Sequence, residues 1–122
     1  MYIQPSQQQI DELASSSQAG PVVMINLLRF RPDGGASAYA HYVDGVLPCL
    51  ARAGGRPLWQ GRPDTVVIGE AADLWDSVVL VEYPSRRAFL DMVTSPEYQV
   101  IAGRRTEALI DSRLIACSPL TG

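Results

Sequence analysis

The chain of 122 residues reads as an α+β fold, a four-stranded antiparallel sheet with helices on one face. Three observations predict it. Apolar runs with strand character alternate with segments of helical period, one run, Val22–Phe30, is apolar on both of its faces, and capping or breaking residues stand at the boundaries.

Ser6-Gln7-Gln8-Gln9 has the form of a capping box, and Ile10, Leu13 and Ala14 then share one helical face. The spacing predicts a short helix that fades at Ser15-Ser16-Ser17, where hydroxyls compete for the backbone, and ends by Gly20-Pro21. Val22 to Phe30 is too short for a self-sufficient helix and rich in strand formers, so it is the first strand. Val22, Met24, Asn26, Leu28 and Phe30 lie on one face and Val23, Ile25, Leu27 and Arg29 on the other.

From Ala36 to Ala53 a stripe of Tyr39, Tyr42, Val43, Val46, Leu47 and Leu50 predicts a long helix, kinked around Asp44 to Pro48 and ended by Gly54-Gly55. Arg56–Gln60 and Val66–Gly69 read as one second strand, interrupted near Gly61-Arg62-Pro63-Asp64. Ser77–Tyr83 is the third. Ser85 caps a helix carrying Phe89, Met92 and Val93, and Ser95-Pro96-Glu97 opens another with Tyr98, Ile101, Ala102, Arg105 and Leu109 inward. Asp111–Cys117 is the last strand, and residues 118–122 form a tail.

A βαββαβ order at this length predicts a ferredoxin-like split unit with the first and third strands central. The whole chain, 1–122, is expected to form one domain, with residues 1–20 a helical extension and 22–117 the core. Helices cover only one sheet face, and each fully buried aliphatic side chain contributes about 1.5–3 kcal/mol. A second copy of the sheet is the expected cover for the other, giving a two-fold homodimer with an α+β barrel between subunits.

A 47% hydrophobic and 19% charged composition is that of an ordinary globular protein. The net charge of −3 and scattered arginines recommend neither nucleic acid nor a membrane as partner. No apolar stretch approaches a membrane span and the N-terminus lacks a signal-peptide layout, so a cytoplasmic location is expected. Cys49 and Cys117 have no metal-ligand spacing and read as buried thiols. His41, the single histidine, lies off the apolar stripe and is expected in solvent, and with no His/carboxylate cluster no metal site is expected.

Several segments together resemble the bacterial domain-of-unknown-function family 1330. They are Val22 through Phe30, Tyr39-x-x-Tyr42, Gly54-Gly55-Arg56, Trp59-x-Gly61, Ile68-Gly69, Trp75-Asp76, Tyr83-Pro84-Ser85 and Phe89-Leu90-x-Met92 through Ser95-Pro96-Glu97-Tyr98. The resemblance spans about Val22 to Ile115 and implies a dimeric α+β barrel. That superfamily also holds cofactor-free monooxygenases, chlorite-dismutase-like haem proteins and small degradative isomerases. It implies no settled reaction, because fold does not fix function.

Seven side chains are candidates for a site. Asn26, an amide in a central strand, either orients a carbonyl or enolate oxygen or bonds a nearby backbone. Tyr39 and Tyr42 put their rings into the core, with hydroxyls free to line a cavity beside Asn26. Asp76, next to Trp75, is either a base against an apolar surface or a turn residue at the start of the third strand. Arg29 would bind a carboxylate or pair with an acid across the dimer, and Trp59 would wall a pocket or seal that interface. Glu82 and Tyr83 face opposite ways; Glu82 is either paired to an arginine, Arg29 or Arg113, or a functional carboxylate, and Tyr83 is a candidate to bind substrate.

Two functions are open. One is a small enzyme without a stored cofactor, acting on a small organic molecule by acid–base or substrate-assisted oxygen chemistry with Asn26, Tyr42 and Asp76 catalytic and Arg29, Tyr39, Trp59 and Tyr83 binding substrate. The other is a non-catalytic dimer that binds a metabolite or a protein. An open pocket holding a group of strongly shifted pKa would favour the first, and a filled core the second.

Overall fold

The computed structural model describes residues 1–120; positions 121 and 122 of the expected tail lie outside them. A strap, Met1–Pro5, leads into α1 (Gln7–Ala14), followed by β1 (Val22–Phe30), α2 (Gly35–Arg52), β2 (Arg56–Gly61), β3 (Ser77–Tyr83), α3 (Arg86–Val93), α4 (Pro96–Ala108) and β4 (Leu109–Cys117). The sheet order is β2-β3-β1-β4 with every neighbouring pair antiparallel, so the two most apolar strands are central as expected.

Local chemistry sets the helix ends. The Ser6 hydroxyl accepts from the Gln9 N–H while the Gln9 side chain accepts from the Ser6 N–H, completing the capping box. Ser85 and Ser95 accept from Ala88 N–H and Tyr98 N–H, and Pro96 occupies the first turn of α4. Helix α2 runs as one helix through Pro48, and Gly54, at φ 75°, supplies the left-handed turn after it. At Gly35 a Cβ would come within 2.7 Å of the Ala108 carbonyl oxygen and 2.9 Å of Phe30 Cβ, so only glycine lets α2 start this close to the sheet.

All the helices that build the core lie on the face of Val22, Met24, Leu28, Val81 and Tyr83, where Leu50, Phe89, Leu90, Met92 and Ile101 close over them. Val22 and Leu28 have no solvent exposure. Helix α1 adds Ile10 and Leu13 to the edge of this core.

Among the described residues the opposite face carries no α-helix; only a short 3-10 turn, Ala71–Asp73, meets it, at Arg29. The register places Trp59, Leu80, Ile25 and Ile115 in one row across all four strands, with Leu27 and Val78 beside it. None belongs to the core, and Ile115 and Trp59 are about half exposed. The first strand is thus apolar on both faces, but the protein itself covers only one.

Three expectations are corrected. Val66–Gly69 is not a continuation of β2: the chain leaves the sheet after Gly61, and these β-branched residues have no strand beside them. The irregularity in β2 falls instead between Pro57 and Trp59. Strand β4 starts at Leu109, two residues early, because Leu109 is buried opposite Phe30. Glu82 pairs with neither Arg29 nor Arg113 but with Arg56, its cross-strand partner, at 2.9 Å.

Candidate functional site

The stripe Ala36, Tyr39, Ala40, Val43 and Asp44, at helical spacing along α2, forms one wall of an open groove of about 550 Å³. Gln60, Gly61 and Arg62 at the end of β2 and Asp76 and Ser77 at the start of β3 form the other, and Phe30 contributes apolar surface. The two alanines make the groove, because any longer side chain there would fill it. Its polar residues are Asp44, Asp76, Arg62, Gln60, Ser77 and Tyr39, the last with its phenol under the influence of Tyr98 and Arg105 on the core side.

Of the seven residues singled out in the sequence, Tyr39 and Asp76 line this groove. Asp76 is held firmly: its Oδ2 accepts from the Phe30 N–H at 2.8 Å, and its own N–H donates to the Leu28 carbonyl at 2.8 Å. That bond fastens the start of β3 to the end of β1 and leaves the second carboxylate oxygen for the groove. Tyr39 is only 8% exposed, and its hydroxyl makes no hydrogen bond among the described residues. Burial pushes the phenol up, with Arg105 opposing and Tyr98 adding to the shift, so it is a proton donor at neutral pH.

The other five lie elsewhere. Tyr42 is in the core, its hydroxyl 2.9 Å from that of Tyr98, and burial followed by this neighbouring phenol raises it far above the ordinary tyrosine range. Tyr83 is buried edge-on against Phe89 and is likewise raised by burial. Asn26 sits on the helix side of β1, where its Nδ2 donates to the Val79 carbonyl at 3.3 Å; the groove lining does not include it. Trp59 lies on the bare sheet face, its ring over Gly61, where a Cβ would overlap the indole.

Arg29, also on the bare face, stacks on Trp75 at 4.6 Å from the ring centroid and donates to the Ala72 carbonyl at 2.8 Å. Arg113 stacks on the same indole at 5.2 Å and on Tyr2 at 4.7 Å. Sequence reasoning missed Asp44, Gln60 and Arg62 as groove residues. Asp44 was within reach, since it continues the Ala36/Ala40 stripe; Gln60 and Arg62 are brought to α2 only by the turn of the chain at Gly61.

The strap is tied down beside this stack. Asp111 Oδ1 accepts from the Tyr2 N–H at 2.9 Å, from Arg113 Nη1 at 2.8 Å and from the Ser112 N–H at 3.0 Å. The Tyr2 bond foremost lowers this carboxyl; desolvation, next in size, opposes it, and the Arg113 and Ser112 contacts add to the lowering, so it stays below its usual range. A pKa lowered in the folded state stabilises fully above the ordinary value near 4 and is lost as pH falls through the lowered one. Thermal melts are therefore expected to show an acid limb below about pH 4 that Asp111→Asn flattens, with a lower Tm at pH 7. Identical limbs in the two proteins would refute the role given to Asp111.

A family model described as "Domain of unknown function (DUF1330)" matches residues 34–117. No curated protein matches the sequence. Among solved structures, RPA0582, a protein of unknown function from Rhodopseudomonas palustris, is 36% identical, with 99% of this chain and 98% of that one covered and a TM-score of 0.93. A dabb family protein with a ferredoxin-like fold from Mesorhizobium loti is 13% identical over 83% of this chain and 98% of its own, TM-score 0.61. A dimeric protein of unknown function and ferredoxin-like fold from Bacteroides fragilis is 16% identical over 80% of this chain and 94% of its own, TM-score 0.56. The last two share the fold alone, and the ferredoxin-like architecture expected from the element order is the one found.

Proposed function

The chain belongs to the DUF1330 family of domains of unknown function, and from that premise we propose a homodimer that binds a small organic molecule in the α2–β2 groove of each subunit. The observation that carries the binding reading is the groove itself: apolar surface from Phe30, Ala36, Ala40 and Val43 beside the polar residues Asp44, Gln60, Arg62 and Asp76. A ligand with an apolar body and one or two oxygens matches that lining. The Gln60 amide or the Arg62 guanidinium would donate to one of those oxygens. Dimerisation is supported by the bare apolar row Trp59, Leu80, Ile25 and Ile115 and by the dimeric Bacteroides fragilis relative in fold.

Binding is favoured over catalysis because the strongly shifted groups, Tyr42 and Tyr83, are phenols moved away from neutrality and buried outside the groove. The catalytic alternative keeps one candidate, the free oxygen of Asp76 beside Tyr39, acting as a base on a bound acid.

A thermal-shift screen of small metabolites tests the proposal. Hits are expected to lose at least about tenfold in affinity, roughly 1.4 kcal/mol, with Ala40→Trp, which fills the groove from an exposed helix position. Gln60→Leu is expected to weaken oxygen-bearing hits by a factor of about 5, a lost hydrogen bond of about 1 kcal/mol. Hits that bind Ala40→Trp as tightly as the natural protein would place the site elsewhere.

A further inference from the structure

The segment between β2 and β3 begins and ends at the groove, at Arg62 and Asp76, yet its middle is bare. Val67 is 88% exposed and Ile68 95%, two consecutive branched apolar residues with nothing packed on either. Both stand in a bend of the chain, and neither side chain is covered by its own subunit.

The base of the segment, by contrast, is fixed to the bare sheet face. Glu70 N–H donates to Asp73 Oδ2 at 2.8 Å, and Asp73 N–H donates to the Glu70 carbonyl at 2.9 Å. The Ala72 carbonyl takes the Arg29 hydrogen bond, and Trp75 lies against Arg29 and Arg113. A rigid base under two wet aliphatic side chains is an arm, held out from the edge of the apolar face.

The geometry points to a second copy of this chain as the arm's occupant: residues 65–69 reach across the dimer and pack on the partner subunit. This rests on the proposed dimer and extends it from the flat sheet face to an interlocking one. Three features favour a second copy over other surfaces. The arm is continuous with the apolar sheet face through Trp75 and Arg29. Asp64 and Glu70 flank it, which opposes a nucleic acid or an anionic membrane. Among the described residues Arg29 has no carboxylate partner in its own subunit, so the acids beside the arm meet an arginine-rich edge when two copies face each other.

The arm also joins two properties. Asp76 is already fixed by β1, but Arg62 at the other end is a groove wall, so packing the middle on a partner holds that guanidinium in place, and ligand binding and dimerisation favour one another.

Sedimentation of Val67→Ser/Ile68→Ser tests the arm, with circular dichroism to confirm folding. The dimer dissociation constant is expected to rise at least about tenfold, while Val100→Ser, at an 81% exposed position on α4, changes it less than about twofold. A photo-crosslinking phenylalanine analogue at position 67 is expected to give an adduct between subunits, and one at position 100 none. A natural protein that is a monomer would overturn both the dimer and the arm. A dimer that Ile25→Arg disrupts but that gives no adduct from position 67, or keeps its affinity in the double serine variant, would overturn the arm alone.

Discussion

Ile25→Arg is expected to turn the protein into a folded monomer of 13.3 kDa at micromolar concentration. Ile25 stands in the middle of the bare apolar row, between Leu80 on β3 and Ile115 on β4. A two-fold interface meets every substitution twice, and a guanidinium buried there without a carboxylate costs several kcal/mol. The dissociation constant should therefore rise at least about 100-fold, which is about 2.8 kcal/mol. The side chain points away from Val22, Met24 and Leu28, so the core is untouched and far-ultraviolet circular dichroism should not change. Sedimentation velocity over a range of concentrations reads the result. An unaltered dimer would show that the sheet face is not the interface.

Leu28→Ala is expected to do the reverse, lowering stability by about 2–5 kcal/mol while leaving association intact. Leu28 has no exposure, and Phe30, Tyr39, Ala108 at the end of α4 and Leu109 at the start of β4 belong to one packed core with it, so the cavity has little scope to collapse. Urea unfolding in the Ile25→Arg background makes the transition unimolecular and isolates the loss. A loss under about 1 kcal/mol would mean that the site relaxes as an interface does rather than as a packed core. Together the two variants test the faces of one strand separately, one packed under the helices and the other proposed to meet a second subunit.

The element order, the helix caps and the two apolar faces of β1 were legible because each depends on residues near one another in the chain. Serine at position 6 caps whatever helix follows it, and a period of two assigns Val22 and Val23 to opposite faces regardless of the rest of the fold. The core stripe of α2 through Tyr39, Tyr42 and Leu50 was readable for the same reason.

The site residues were less so, since their roles depend on neighbours far away in sequence. Tyr39 and Tyr42 share a stripe, differ by one turn and are both core, yet Tyr42 meets the Tyr98 hydroxyl from α4, while Tyr39 also lines the groove. Glu82 chose Arg56 over two other arginines because strand register put that one opposite. Val66–Gly69 has the composition of a strand, and composition cannot show that no partner strand lies beside it. The sheet that the sequence predicts was settled by local period and turn chemistry; which of its side chains meet a groove, a core or open water was settled by packing between segments 30 to 110 residues apart, an energy that no local pattern encodes.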